Sequence, residues 1–174
     1  MQPETDPDTA WVAQLTGADP RTAVQAVGEA AGRQDLFRAI EREHRLEGRS
    51  SYVEIEAPLE LHALVRLMRP AHVVEVGVSS GVSSAYLLDA LDLNGSGTLH
   101  SIDLPSFPRK RAPESRPARM SWTLPPGRSP GWAVPFRLRR RWDLRLGDKA
   151  DGLPVLAEEL ERIDLFVYDV PHDD

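Results

Sequence analysis

The chain of 174 residues contains no cysteine, which excludes a disulfide framework and any thiolate metal site. No apolar run approaches the ~20 residues needed to cross a bilayer. The acidic start, MQPETDPDTA, lacks the apolar segment of a secretory signal. A net charge of -6 removes any general attraction to nucleic acid or to anionic membranes. These absences predict a cytoplasmic protein with no membrane partner, and the length suits a single globular core.

One stretch departs from this acidity, because residues 105–145 hold eleven of the 21 lysines and arginines and eight of the 15 prolines. Proline interrupts helices and central strands, so we expect a basic, proline-rich loop over 105–141. Three of its aromatic residues argue against pure disorder: Trp122, Trp132 and Phe136. The loop is interpreted as a lid whose arginines receive an acidic or phosphorylated acceptor, with a solvated surface loop as the plainer alternative.

Residues 1–57 are predicted to form a tail and a helical extension, with the first ten residues disordered. Asp19 is a suitable N-cap and Pro20 suits the first helical position, which predicts a helix over 20–31. A second helix, over 34–46, would bury three apolar residues: Leu36, Phe37 and Ile40. Gly48 would end it.

From residue 58 onward, helical and strand patterns alternate. An amphipathic helix ends before Pro70. The four strand candidates are HVVEVG, GTLHSID, WDLRLGD and IDLFVYD, and the helices between them are VSSAYLLDALDL and LPVLAEELERI. Such alternation predicts right-handed βαβ units and a Rossmann-like, mainly parallel α/β sheet with flanking helices, formed by a domain over 58–174.

The stretch VVEVGVSSGVSS, residues 73–84, joins the first strand to the helix after it. Ligands of open α/β sheets bind beyond the carboxyl ends of the strands, at the point where the strand order reverses. Gly77 and Gly81 would let the backbone bend and approach a ligand. Four serines would offer hydroxyls and amides at the start of a helix: Ser79, Ser80, Ser83 and Ser84. A glycine turn at this place can also occur in any doubly wound protein, so the turn alone indicates little.

Glu75 discriminates between ligands. A dinucleotide fold would show G-x-G-x-x-G around a pyrophosphate, which a carboxylate inside the strand would repel. The spacing here is G-x-x-x-G with the acid two residues ahead. A cationic ligand suits this arrangement better, and S-adenosylmethionine carries both an ammonium and a sulfonium group.

Two further acids end the next strands. Asp103 would lie at the carboxyl end of the second strand, where it can accept hydrogen bonds from both hydroxyls of a ribose. Asp148 follows the third strand and could accept from an adenine amino group, but a Gly-Asp turn there is equally suited to cap the following helix.

Together these residues resemble the class I S-adenosylmethionine-dependent methyltransferases, particularly those that methylate oxygen on small molecules. The family pattern, acid-x-Gly-x-x-x-Gly-x-Ser, is matched by Glu75, Gly77, Gly81 and Ser83, while Ser79 replaces a frequent third glycine. The resemblance implies that Glu75 and Gly77 lie near the methionine moiety of the cofactor and Ser83 near its carboxylate. It also implies that Asp103 binds the ribose and that Asp148 lies beside the adenine.

The resemblance extends to IDLFVYDVPHDD, in which Asp169 takes the place of the acid beside the reacting centre. Methyl transfer needs donor and acceptor held in line, with a base or a metal to ease loss of the acceptor's proton. His172 could be that base, oriented by Asp169 or Asp173, or Asp169 and His172 could share a divalent cation with the acceptor. The alternative for His172 is a solvated polar terminus.

The family's sheet has seven strands, whereas this sequence supplies four, so strands five to seven are expected to be missing. An apolar fourth strand would then be an unpaired edge, which predicts either a fragment of a longer enzyme or completion by a homo-oligomer or another partner. Two other functions are compatible with the sequence: a nicotinamide-dependent oxidoreductase, and a non-catalytic module that binds single-stranded nucleic acid through the basic loop. The overall acidity of the chain disfavours the second.

Overall fold

A computed structural model describes residues 7–45, 57–105, 124 and 127–170, which form a parallel four-stranded sheet with helices on both faces. The strands are β1 (His72–Val76), β2 (Thr98–Asp103), β3 (Trp142–Leu146) and β4 (Leu165–Tyr168). The helices are α1 (Pro7–Thr16), α2 (Pro20–Ala31), α3 (Gln34–Arg45), α4 (Pro58–Met68), α5 (Val82–Asn94) and α6 (Lys149–Leu160), and a 3-10 helix (Phe136–Arg141) precedes β3. The predicted Rossmann-like α/β fold is confirmed.

The strand order is β3-β2-β1-β4, so the chain moves to one side of β1 first and to its other side later. The order therefore reverses beside β1, and the turn that follows this strand lies at the switch point where open sheets bind ligands. In register, Glu75 of β1 lies opposite Ser101 of β2 and Val167 of β4.

The edge strand β4 has one neighbour, β1, among the described residues. Two of its side chains, Phe166 and Tyr168, are 47% and 45% exposed and stack on each other. The expected completion of the sheet by further strands or by a partner stays a prediction.

Two apolar layers hold the sheet. On one face, Val73 and Leu99 pack in a core with the leucines of α5. On the other, Val74 and Ile102 pack against Leu156 of α6, which is completely buried. Alternation of side chains along each strand produces this division, because successive residues point to opposite faces. Helix α5 lies between the sheet and the N-terminal helices, which is why almost all of its length is buried.

The N-terminal extension contains one more helix than predicted. Residues 7–10 were expected to be disordered, but they belong to α1, whose Val12 is fully buried beside small residues of α2 and α4. Burial against other helices stabilises this short segment, and its own sequence carries little helical signal. Residues 1–6 lie outside the described part of the chain.

The other predicted helices are present with small shifts of their ends. Asp19 caps α2 as expected, since its side chain accepts from the amides of Arg21 and Thr22 at 3.0 and 3.1 Å. Helix α3 ends at Arg45, and the proposed stop at Gly48 lies outside the described residues. Helix α6 begins at Lys149, four residues before the predicted start.

A buried ion pair ties the extension to the sheet domain. The carboxylate of Asp89 in α5 accepts from both Nε and Nη2 of Arg33, just ahead of α3, and lies 3.2 Å from Nε2 of His62 in α4. Burial alone would raise the pKa of Asp89, but the bonds from His62 and Arg33 bring it below its ordinary value. The helices before and after residue 57 therefore contact each other, and the predicted division of the chain at this residue stays a prediction.

Within the described residues, no helix combines the length and the apolar character that crossing a bilayer requires.

Candidate functional site

The turn between β1 and α5 has an unusual backbone. Gly77, Ser79 and Gly81 all have positive φ, at 93°, 49° and 89°. Glycine adopts this region without steric cost, whereas serine does so with some strain. The two glycines of the motif are therefore required by the conformation of the turn itself.

Both glycines also leave space for other parts of the chain. A Cβ at Gly77 would overlap the carbonyl oxygen of Asp169, which follows β4. At Gly81 a Cβ would lie 2.6 Å from Cγ2 of Val134 and 2.8 Å from Cα of Gly131. The bend predicted for these glycines is present, and they also permit close approach of two other chain segments. Their predicted approach to a ligand stays a prediction.

The carboxylate of Glu75 is buried beneath the turn. It is completely inaccessible and accepts hydrogen bonds from the hydroxyls of Ser83, Ser84 and Ser101, each at 2.7 Å. Ser101 in turn accepts from Nε1 of Trp142 at 2.8 Å. Burial raises the pKa of Glu75, and the three hydroxyl bonds oppose this effect.

The acid and the serine of the motif, Glu75 and Ser83, contact each other and not the open side of the turn. The Glu75 carboxylate connects β1 to α5 and β2 from the interior, and the hydroxyl of Ser83 points to it. In this conformation neither group reaches a ligand in the turn. Their expected contacts with the cofactor stay predictions, which would require rearrangement of the hydroxyl network or, for Ser83, use of its backbone amide.

Asp103 lies where the sequence placed it, at the carboxyl end of β2 and beside the turn. Its Oδ2 accepts from the amides of Val78 at 2.7 Å and Ser79 at 3.0 Å. Within the described residues its Oδ1 accepts no hydrogen bond, and the side chain is only partly buried. One carboxylate oxygen thus shapes the turn, and the other has no hydrogen-bond partner among the described residues.

Asp148 ends the β3 connection at the same edge of the sheet. Its Oδ1 accepts from the amide of Ala150 at 2.8 Å, so it is the N-cap of α6. The capping alternative is therefore present in the structure. The adenine contact is untested, and the second oxygen of the exposed Asp148 carboxylate is compatible with it.

Asp169 is brought to the turn by β4. Its amide donates to the carbonyl of Val76 at 2.9 Å, and its own carbonyl faces Gly77. Partial removal from water raises the pKa of the Asp169 carboxyl above its ordinary value of 3.8. His172 lies outside the described residues. No group of three metal-ligating side chains occurs in the described ranges, and the predicted cation shared by Asp169 and His172 is untested.

The basic loop is more ordered near its end than predicted. Residues 136–141 form a 3-10 helix, and its arginines contact the protein itself. Arg139 donates to two carbonyl oxygens, Arg140 pairs with Asp92, and Arg141 donates to the carbonyl of Gly97. These three arginines are therefore bonded within the chain, and the expected role of the loop's arginines as receivers of an acidic acceptor stays a prediction. Trp122 lies outside the described residues.

Sequence reasoning missed two parts of the site. The first is Ser101, a polar residue inside a buried strand, which lies in register with the single acid of β1. That coincidence is the signal that could have revealed it. The second is the contact of residues 131–134 with the turn, for which Gly131 was the available sign.

Residues 74–174 match the family described as Methyltransferase domain, which is more than half of the chain. The protein therefore belongs to this methyltransferase family. The comparison with curated proteins gave no match.

Nine chains of solved structures match. One is the crystal structure of a candidate O-methyltransferase from Klebsiella pneumoniae, with 22% identity, a TM-score of 0.43 and coverage of 70% of this chain. The present chain spans 46% of the length of that structure.

Proposed function

We propose that this protein binds S-adenosylmethionine at the turn after β1 and transfers its methyl group to a small-molecule acceptor, with oxygen as the favoured acceptor atom. The observation that carries the proposal is Asp103, which has one oxygen on the amides of the glycine turn and the other without a partner in the described residues. Family membership supplies the methyl-transfer chemistry.

The ribose would be held by Asp103. Its Oδ1 can accept from a ribose hydroxyl while Oδ2 keeps the turn in place, so binding requires no prior rearrangement of the carboxylate. A hydrogen bond to a charged group contributes about 1.5–3 kcal/mol. Asp148 lies at the same edge of the sheet and is the proposed acceptor for the adenine amino group.

The amino-acid end of the cofactor would lie toward the start of α5. The first amides of a helix have no acceptor within it and carry partial positive charge, which suits a carboxylate. When bound, S-adenosylmethionine supplies an electrophilic methyl group on its sulfonium.

Asp169 is the proposed base. It is placed at the turn by the bond from its amide to Val76, and its side chain remains accessible to solvent. A raised pKa makes a carboxylate a better proton acceptor, which assists loss of the acceptor's hydroxyl proton. His172 is a second candidate for this role, and a divalent cation is a further possibility that a metal-dependence assay would decide.

The decisive experiment is calorimetric titration of the purified protein with S-adenosylhomocysteine. We expect binding by the wild type and, for Asp103→Asn, an affinity lower by about tenfold or more, because roughly 1.4 kcal/mol corresponds to a factor of ten. Asp164→Asn is the matched control. Asp164 also accepts two backbone amides, of Ala71 and His72, but at the opposite edge of the sheet.

The control should bind like the wild type. Absence of binding by the wild type, or equal losses in both variants, would contradict the proposed site. A titration with NADH in parallel examines the oxidoreductase alternative, for which we expect no binding.

A further inference from the structure

A short segment of the basic loop, residues 131–134, lies directly on the outer side of the glycine turn; we call it the strap. The amide of Gly131 donates to the carbonyl of Ser79 at 2.8 Å, and the amide of Ala133 donates to the carbonyl of Ser80 at 2.9 Å. These bonds occupy two consecutive carbonyls of the turn. The strap therefore holds the part of the turn that has positive φ.

The fit between strap and turn depends on glycine from both sides. Gly81 has no Cβ to meet Val134 or Gly131. Gly131, with φ of 75°, lies against the outer atoms of the Trp142 ring, which a Cβ would overlap. Two glycines far apart in sequence thus permit one close contact, and the strap packs between the turn and β3.

Arg139 closes this arrangement. Its Nε donates to the carbonyl of Val134 and its Nη2 to the carbonyl of Gly131, both at 3.0 Å. One guanidinium therefore binds the two ends of the strap through its fixed fork of donors. The same group lies 5.9 Å from the ring centroid of Trp142, within the range of a cation-π contact.

The contacts continue inward from Arg139 to the buried acid. Trp142 donates to Ser101, and Ser101 donates to Glu75, which anchors the start of α5. The turn is thus fixed from outside by the strap and from beneath by the carboxylate. Among its residues with positive φ, Ser79 is the one that is not glycine, so it needs this support most.

Resting on the proposed function, we propose that Arg139 is a positioning residue for the cofactor: it keeps the strap on the turn so that Ser79 retains its strained conformation before a ligand arrives. When Arg139 is lost, Ser79 relaxes to negative φ in a fraction of molecules. Its amide then leaves Asp103, and the binding-competent turn becomes a minor state. Apparent affinity falls in proportion to the competent fraction.

The test compares Arg139→Lys with Arg140→Lys. Lysine keeps the charge but lacks the rigid, planar pair of donors that fits the two carbonyls, and Arg139 is exposed overall, so the change opens no buried cavity. Arg140 is in the same 3-10 helix and pairs with Asp92 on the surface. We expect Arg139→Lys to weaken binding of S-adenosylhomocysteine by about tenfold, as for a turn that is competent in a tenth of molecules. Arg140→Lys should bind like the wild type.

A second substitution separates positioning from general stability. Glycine adopts the conformation of Ser79 without strain, so Ser79→Gly in the Arg139→Lys protein should recover most of the lost affinity. If Arg139 only stabilised the fold in general, Ser79→Gly would not restore the lost affinity. Unchanged affinity in Arg139→Lys, or no recovery in the double variant, overturns the proposal.

Hydrogen exchange without ligand gives an independent answer. The amides of Val78 and Ser79 are bonded to Asp103, and we expect them to exchange several-fold faster in Arg139→Lys than in Arg140→Lys. If the wild type does not bind S-adenosylhomocysteine, the proposed function fails. Hydrogen exchange then tests only the claim that Arg139 keeps the strap on the turn. Faster exchange at these two amides in Arg139→Lys supports this claim, and equal exchange in the two variants refutes it.

Discussion

The buried carboxylate of Glu75 predicts how the stability of the protein depends on pH. Desolvation raises its pKa above the ordinary 4.5 in the folded state. Between 4.5 and the raised value, the unfolded chain loses the proton while the folded chain keeps it. The folded state then binds more protons, so stability falls as the pH rises through this window. Glu75→Gln has the same size but cannot titrate, and we expect it to escape this loss.

The size of the effect follows from proton linkage. Each pH unit inside the window costs the wild type about 1.4 kcal/mol relative to Glu75→Gln. With a urea dependence of about 2 kcal/mol per molar, this is a relative shift of roughly 0.7 M in the unfolding midpoint for each pH unit. Above the raised pKa, the difference in unfolding free energy between Glu75→Gln and the wild type no longer changes with pH.

The assay is urea unfolding followed by tryptophan fluorescence at pH 4.5, 5.5 and 6.5. The quantity of interest is the free energy of unfolding of Glu75→Gln minus that of the wild type, in which the other titrating groups cancel to first order. We expect this difference to increase with pH. A constant or decreasing difference would refute the reasoning that a desolvated carboxylate lies beneath the turn.

Asp164→Asn is the control for this experiment. Backbone hydrogen bonds from His72 and Ala71 hold the pKa of Asp164 below its ordinary 3.8, so its ionised form stabilises the fold. That contribution is complete above 3.8 and is lost only as the pH falls through the lowered value. The difference between Asp164→Asn and wild type should therefore be constant from pH 4.5 to 6.5.

Two further substitutions examine the turn and the N-terminal helices by urea unfolding. Gly77→Ala should lower the free energy of unfolding clearly more than Gly95→Ala. Both glycines have positive φ, which costs alanine about 1–2 kcal/mol, but only at Gly77 do other chain atoms occupy the place of the new Cβ. Equal losses of stability would show that this close approach is absent. Asp89→Asn should cost about 3 kcal/mol by leaving its buried partners unpaired. Asp92→Asn, which breaks surface pairs of the next turn, should cost less than about 1 kcal/mol, and a small effect at both positions would contradict the buried pair.

Much of the fold could be predicted because local patterns and tertiary structure agree. The β-branched run before Gly77 forms β1, and the N-cap at Asp19 begins α2 where expected. Position 103 was predicted at the carboxyl end of its strand, and parallel strands bring such ends to one edge. Helix α1 was missed, because its stability comes from burial of Val12 against helices that lie elsewhere in the chain.

The direction of the Glu75 side chain could not be predicted from the sequence. An acid in a strand before a glycine turn could face either the ligand or the interior, and the pattern contains no information about this choice. The hydroxyls of Ser83, Ser84 and Ser101 turn it inward. Ser101 is 26 positions away, and its partnership follows only from strand pairing.

By itself, the sequence determined the alternation of strands and helices, the place of the turn and the acids that border it, because these depend on side-chain periodicity and on the conformational freedom of glycine over a few residues. Only the tertiary structure decided what those groups contact: Glu75 its serines, Gly77 the end of β4, and Gly81 the strap. Such contacts join residues distant in the chain, and close packing, rather than local preference, selects them.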